Sequence, residues 1–382
     1  MTVVYLDNSA TTRPSQAVIA AVQKCLTEEW FNPSALYRPA MMAQKQIDRV
    51  RSEVASAAGA QNQQVIFTSC GTEADNLAIF GCLRNRRKPG KVLLLQTEHP
   101  AVLSCAQEIE RLGHTVQLIP VDSVGRLKLD QLEAMLDETV HLICVMQVNN
   151  ETGTIQPLEE VVALRNRLAP NAAIHVDGVQ GFLRVPISFN RLGIQSYAIS
   201  GHKIHAMKGI GALIVQKEHR LAPILLGGGQ ENGLRSGTEN VPGILSLGEA
   251  VRSYPSDGAA RMAKWKKALW EQLNAALPGI RLNGPTIEDG APHILNISFQ
   301  PVRSQTMLFA LEGDGIYVSA GSACASKKQK ISPVLSAMGL DTQRADCAIR
   351  FSLSPDLTDE QRDYVVDRLV YHVTVLKPFT RR

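Results

Sequence analysis

Short apolar runs without polar alternation recur along residues 65–215 of this 382-residue chain, separated by stretches of helical period. Val65-Ile66-Phe67, Val92–Leu95, Val116–Ile119, Leu142–Met146, Ile174–Val176, Tyr197–Ile199 and Ala212–Val215 read as buried strands. Helices are predicted over 71–84, 100–112 and 159–168; in the second, Val102, Leu103, Ala106 and Ile109 share one face and Gly113 ends it. Such strands separated by helices predict an α/β fold with a mostly parallel sheet covered on both faces. Sheets of this kind bind ligands at the carboxyl ends of their strands. Two helices precede the sheet, 16–29 with Val18, Ile19, Val22 and Leu26 on one face, and 39–58 ending at Gly59. After about residue 250 the alternation weakens. A long amphipathic helix at 259–277, a half-buried strand Leu295–Phe299, helices at 306–311 and 332–338, a strand Ile349–Leu353 and a closing helix 358–376 follow. The pattern predicts a large domain over 15–250 and a smaller α+β domain formed by 1–14 plus 251–382.

Composition adds limits. The chain is 45% hydrophobic and 20% charged, enough for a sizeable core. A net charge of +4, from 40 basic and 36 acidic residues, gives no reason to expect nucleic acid or a membrane surface as partner. The first residues lack the basic start and apolar core of a signal peptide. Seven cysteines, at 25, 70, 82, 105, 144, 324 and 347, form no C-x-x-C pair. Neither a disulfide framework nor a metal site is expected, and the reading is a cytoplasmic protein.

The candidate chemistry starts at Ser200-Gly201-His202-Lys203, a glycine-flanked loop between two apolar runs. A lysine desolvated there has a lowered amine pKa and can act as a nucleophile. With Ser200 and His202 beside it for a phosphate, the pattern suggests pyridoxal 5'-phosphate held by Lys203 as a Schiff base. A solvated loop lysine is the commoner reading of so short a motif. Further loops fall at strand ends, each with a plain turn or cap as alternative. Thr68–Glu73 enters a helix, where the N–H groups of Gly71 and Thr72 and the helix dipole suit a phosphate. Glu98-His99-Pro100 offers an imidazole that can stack on a pyridine ring and move protons. Asn149 and Gln180 can reach a phenolic oxygen. Asp177, ending an apolar strand, needs a cationic partner, and a protonated pyridine nitrogen is one. Gly227–Asn240 is a flexible loop or a source of phosphate ligands through Arg235 and Thr238. Cys324 stands among small residues just before Lys327 and Lys328, cations that favour a thiolate; the alternative is a buried structural cysteine. Arg350 is either a surface charge or a bidentate partner for a substrate carboxylate.

From Leu6-Asp7-Asn8-Ser9-Ala10-Thr11-Thr12 to Arg350 the chain resembles the cysteine desulfurases, enzymes of the aminotransferase class V group. Asn32-Pro33-Ser34, Gly71–Ala74, Glu98–Pro100, Asn149–Gly153, His175–Gln180, Ser200–Lys203, Gly227–Asn240 and Gly321–Cys324 carry the resemblance in order. It implies a PLP-dependent transferase of fold-type I and a homodimer. By the resemblance Lys203 is the Schiff-base lysine, Asp177 pairs with the ring nitrogen, Gln180 with the phenolic oxygen, and His99 stacks on the ring. Thr72, Ser200 and His202 hold the phosphate, and Thr238 reaches it from the second subunit. Asn32 and Arg350 orient the substrate carboxylate, and Cys324 accepts sulfur as a persulfide. The implied reaction turns L-cysteine into L-alanine and passes sulfur to an acceptor protein for iron–sulfur cluster assembly or tRNA thiolation. A selenocysteine lyase or another PLP-dependent lyase of the same fold is the alternative. The chain departs from the family pattern at Tyr37-Arg38-Pro39-Ala40, at Cys70 and at Ala206-Met207.

Overall fold

The computed structural model describes residues 3–61, 64–320 and 331–379. The first elements are β1 (Val4–Tyr5), α1 (Gln16–Glu28) and α2 (Arg38–Ala57). The alternating region follows as β2 (Val65–Thr68), α3 (Gly71–Leu83), β3 (Lys91–Leu95), α4 (Pro100–Leu103), α5 (Ala106–Arg111), β4 (Thr115–Ile119), α6 (Leu129–Met135) and β5 (Val140–Cys144). It continues through α7 (Leu158–Leu168), β6 (Ala173–Asp177), α8 (Phe189–Leu192), β7 (Ser196–Ser200) and β8 (Gly211–Val215). The last part holds α9 (Val241–Ser253), α10 (Gly258–Ala276), β9 (Arg281–Leu282), β10 (Ile294–Ser298), α11 (Ser304–Gly313), β11 (Ile316–Tyr317), α12 (Pro333–Ala337), α13 (Thr342–Asp346), β12 (Ala348–Ser352) and α14 (Asp359–Leu376).

Among the described residues, β2 to β8 form one seven-stranded sheet in the order β2-β8-β7-β6-β5-β3-β4. The strands from β4 to β7 pair in parallel, and β8 lies antiparallel between β7 and β2. The loop 201–210 is too short for the crossover that a parallel β8 would require, so Lys203 stays beside the carboxyl end of β7. Alternate residues of a strand serve opposite faces. Leu93 and Leu95 pack with Val50, Ile174 and Leu247, while Val92 and Leu94 pack with Leu77, Ile79 and Leu213. A separate core of Leu6, Trp265, Leu269, Ile297, Phe351 and Leu369 lies against the antiparallel sheet β12-β10-β9. No helix of the described residues is long and apolar enough to cross a membrane.

Two local readings are corrected by the structure, and one helix is added. The helix expected over 100–112 is two helices, because the Ala101 carbonyl that Cys105 N–H would reach accepts instead from Cys105 Sγ (3.2 Å) and Asn76 Nδ2 (3.4 Å). Cys105 N–H donates to Val102 O at 3.0 Å, and the helical ladder restarts. The strand expected at Leu142–Met146 runs Val140–Cys144, with Met146 turning to line a cavity. Helix α9, to which the sequence reading assigns no element, has an apolar pattern diluted by Pro242, Gly243 and Gly248. Gly248 permits close helix packing: a Cβ there would lie 2.4 Å from Val50 Cγ2 of α2.

Candidate active site

The carboxyl ends of β3, β5, β6 and β7 and the amino end of α3 surround a cavity of about 180 Å³. The structure brings Gly71, Thr72, His99, Asp177 and Gln180 to its wall, with Ser200, His202, Lys203 and Arg350. Cys70 stands at the N-cap of α3 without a side-chain capping bond to the helix, so the helix opens toward the cavity through backbone N–H groups. The packing there admits little at Gly71, where a Cβ would come 2.7 Å from Val179 Cγ2. Ser200 Oγ is buried without a hydrogen-bond partner among the described residues.

Asp177 ends β6 almost fully buried, its Oδ1 accepting from Val179 N–H at 2.9 Å. Burial, with the nearby Asp75 charge, pushes its carboxyl up to about 6. Asp75, one turn into α3, lines the same cavity, and burial pushes it up to about 7. Burial together with Asp177 and Asp75 holds Glu98 far above the usual carboxylate range. Burial is the largest cause at all three acids, and a cation placed in the cavity would favour their ionised forms. His99, at the N-cap of α4, accepts from Ala101 N–H at Nδ1 (3.1 Å), which leaves the proton of the neutral ring on Nε2. His202 is kept neutral, its pKa lowered to about 4 by burial and by Lys203, Lys208 and Arg184.

Lys203 Nζ donates to Ser9 O (2.5 Å) and Ala10 O (2.8 Å). Gln180 Nε2 donates to Ser9 O at 3.0 Å, and Thr12 N–H to His202 O at 2.9 Å. Arg184 Nη2 donates to the Lys203 carbonyl. The N-terminal segment therefore forms one wall of the site, a role that polar, non-helical residues 7–12 did not announce in the sequence. Asn8, Ser9 and Thr12 of this segment are all buried. Arg350, in β12, is 1% exposed; its Nη2 donates to Asp7 Oδ1 at 2.6 Å and its Nη1 to Asn150 O at 2.9 Å. Its Nε is buried without a partner among the described residues.

Other expected residues stand apart from the cavity wall. Asn149 directs its amide into its own loop, accepting from Glu151 N–H (2.9 Å) and Thr152 N–H (3.0 Å) and donating to Thr97 O (3.1 Å). The neighbouring Asn150 lines the cavity instead. Asn32 is exposed and accepts from Ser34 N–H at 2.9 Å. Thr238 lines a second cavity of about 140 Å³ with Arg235 and Glu239. Cys324 lies outside the described residues. Asp75 and Arg184 stand in no motif, and His175 opens the His175–Gln180 motif without a role of its own; a lone Asp in an otherwise apolar helix, and His-x-Asp on a buried strand, were the available signals.

The aminotransferase class-V family model matches residues 4–365. A cysteine desulfurase from a Nostoc species is 39% identical over 386 aligned positions, covering 99% of this chain and 96% of the relative. The solved structure of a NifS-like protein superposes with a TM-score of 0.92 at 33% identity, covering 98% of this chain and 100% of that one. SspA, solved in complex with cysteine, superposes at 0.82 with 30% identity, covering 92% of this chain and 99% of that one. The chain belongs to the aminotransferase class-V family and, within it, to the cysteine desulfurases. These are fold-type I enzymes that use pyridoxal 5'-phosphate. The cavity fits that cofactor: it holds acids raised by burial, a buried hydroxyl without a partner among the described residues, a helix amino end and a lysine.

Proposed function

We propose that this cavity converts L-cysteine to L-alanine and passes the sulfur to Cys324. Lys203 is the attachment point of the cofactor, Asp177 faces its ring nitrogen, Gln180 its phenolic oxygen and His99 its ring face. Gly71, Thr72, Ser200 and His202 hold the phosphate. When bound, the cofactor supplies an electron sink for carbanionic charge at the substrate Cα. Arg350 orients the substrate carboxylate, with Asn32 reaching it from outside the described cavity wall. Lys203 Nζ takes the Cα proton and can hold it as an ammonium against Ser9 O and Ala10 O. The Cys324 thiolate forms a bond to the substrate sulfur as the carbon–sulfur bond breaks. In balance, L-cysteine and the Cys324 thiol yield L-alanine and a Cys324 persulfide. Residues 15–250 form the cofactor-binding domain, and 1–14 with 251–382 the domain that carries Cys324.

A homodimer completes the reading, with Thr238 serving the partner's phosphate site. Its support is the exposure of Trp30, Leu36, Met41 and Met42, each more than half exposed in one stretch of chain. An acceptor protein takes the persulfide sulfur for iron–sulfur cluster assembly or tRNA thiolation. The six described cysteines are all free thiols, in keeping with a reducing cytoplasm.

The observation that carries the reading is the meeting of Lys203, Asp177 and Arg350 in one cavity. The test is purified enzyme with L-cysteine and a thiol reductant, following alanine and sulfide beside Lys203→Ala and Cys324→Ser. Equal release of both products, lost in each variant, is expected. A wild type that binds the cofactor but makes no alanine overturns the substrate assignment. A Cys324→Ser variant that still turns over selenocysteine favours the lyase.

A further inference from the structure

We propose that Asp75 is a positioning residue for the ring-binding carboxylate: braced by His175 and Ser196, it sets a second negative charge beside Asp177 and so strengthens retention of the proton on the cofactor's ring nitrogen. The inference rests on the reading that Asp177 faces that nitrogen.

The geometry comes from β6 and α3. His175 and Asp177 stand two residues apart on β6 and project from the same face. Asp75 follows Gly71 by one helical turn, and its carboxyl lines the cavity that Asp177 also lines. His175 Nε2 lies 3.1 Å from Asp75 Oδ1, and His175 Nδ1 lies 2.8 Å from Ser196 Oγ. A hydroxyl that donates to Nδ1 leaves the ring proton on Nε2, where it donates to Asp75 and favours the ionised carboxylate. Asp75, His175 and Ser196 are 1%, 0% and 2% exposed, so water does not substitute for any link.

The surrounding groups leave this task to Asp75. Burial, with the Asp177 and Asp75 charges, holds Glu98 far above the usual carboxylate range and disfavours its charged form. Burial lowers His175 to about 4, so it is a neutral donor. Burial pushes up the Cys105 and Cys144 thiols and the Tyr197 phenol. Cys70, His99, His202, Lys203 and Arg350 complete the titratable lining, and the last four bring no negative charge. Asp75 and Asp177 are pushed up chiefly by burial, and the Asp75 charge adds to the rise at Asp177. A cation placed in their common cavity favours the ionised form of both. By the same linkage, two carboxylates favour a protonated ring nitrogen more than one does.

The test uses holoenzyme reconstituted with cofactor carrying nitrogen-15 in its ring, whose chemical shift reports the ring proton directly as pH is varied. In Asp75→Asn the ring nitrogen is expected to release its proton about one pH unit below the wild type, the lower end of the effect of a nearby charge. His175→Leu removes the donor that favours ionised Asp75; that carboxyl then takes up a proton, and the same downward displacement follows. The second variant decides the matter if the buried amide of the first prevents folding. Ring titrations indistinguishable from the wild type in the folded variant or variants overturn the proposal. Asp177→Asn serves as reference: a ring proton kept there as in the wild type overturns the underlying placement of Asp177 instead.

Discussion

Asp7→Ala isolates the link between the N-terminal segment and Arg350. Asp7 Oδ1 accepts from Arg350 Nη2 at 2.6 Å, with the arginine 1% and the aspartate 19% exposed. The substitution leaves a buried guanidinium without its counter-ion. Breaking such a pair from one side costs about 3–5 kcal/mol, and the partial exposure of Asp7 lowers this to about 2–4 kcal/mol. At about 2.1 cal/mol/K per residue, the unfolding entropy of the chain is about 0.8 kcal/mol/K, so the cofactor-free protein is expected to melt about 3–5 °C lower by calorimetry. Arg350 then keeps the Asn150 carbonyl but loses the contact that fixes its second nitrogen. Under its proposed role, KM for L-cysteine rises and kcat changes less, read from initial rates of alanine release. Asp7→Asn, which keeps an acceptor oxygen, gives a smaller change in both measures. A midpoint within about 1 °C of wild type together with an unchanged KM refutes the reasoning, because it would mean that the pair contributes neither stability nor orientation.

The remaining predictions concern the other buried acids. Glu231 accepts both Arg51 nitrogens (2.7 and 2.8 Å) and Phe67 N–H (2.9 Å), tying the segment that bears Thr238 to α2 and β2. Glu231→Ala is expected to cost about 3–5 kcal/mol in urea unfolding and to weaken cofactor binding; a loss under about 1 kcal/mol counts against the tie. Because burial and the Asp177 and Asp75 charges push the Glu98 carboxyl well above its usual range, Glu98→Gln should retain the cofactor across about pH 6–8, as judged by absorbance titration, and abrupt loss of binding would mean that the carboxylate is needed ionised. The folded state raises Asp177 from 3.8 to about 6, so it holds a proton that the unfolded chain has already released. Stability from that proton is present below the unfolded value and is lost as pH rises toward 6. Cofactor-free wild type should therefore lose stability relative to Asp177→Asn between about pH 4 and 6, and a constant difference across that window would exclude the raised pKa.

The sheet and most site positions were legible because their signals are local. Apolar runs marked all seven strands of the large sheet, and polar residues at strand ends marked the loops that meet at the cavity. The misses share a cause: the deciding partner is distant in sequence. Gly248 weakens the helical signal of α9, and its role appears only with Val50 packed against it. Asn149 donates to Thr97 O, 52 residues away, a partner that its turn does not indicate. Asp75 is a single polar residue in an apolar helix, and its meaning depends on His175, a hundred residues away. Periodicity reports which face is buried but not which buried polar groups meet.

The same distance dependence explains why residues 7–12 are polar yet hidden. Asn8 Nδ2 donates to Ser352 O (2.9 Å), Ser9 N–H donates to Ser352 Oγ (2.9 Å), and Ser352 N–H donates to Leu6 O (2.7 Å). These bonds fix the segment to β12, which carries Arg350. The carbonyls of Ser9 and Ala10 then face Lys203, and the Ser9 carbonyl also takes Gln180. A regular helix or strand would have used those carbonyls in its own ladder, so irregular backbone is what makes them available. Under the proposed role of Lys203 as base, two carbonyl dipoles favour the ammonium once the amine has taken a proton, and they do so without a counter-ion that would compete with the cofactor phosphate. The site thus depends on a strap whose anchor, Ser352, lies more than 340 residues away from it in sequence. Ser352→Ala tests this directly: loss of the Ser9 N–H bond should weaken cofactor retention, although Ser352 lies outside the cavity wall. Retention equal to wild type would show that the strap is held by its remaining bonds to His202 and His205.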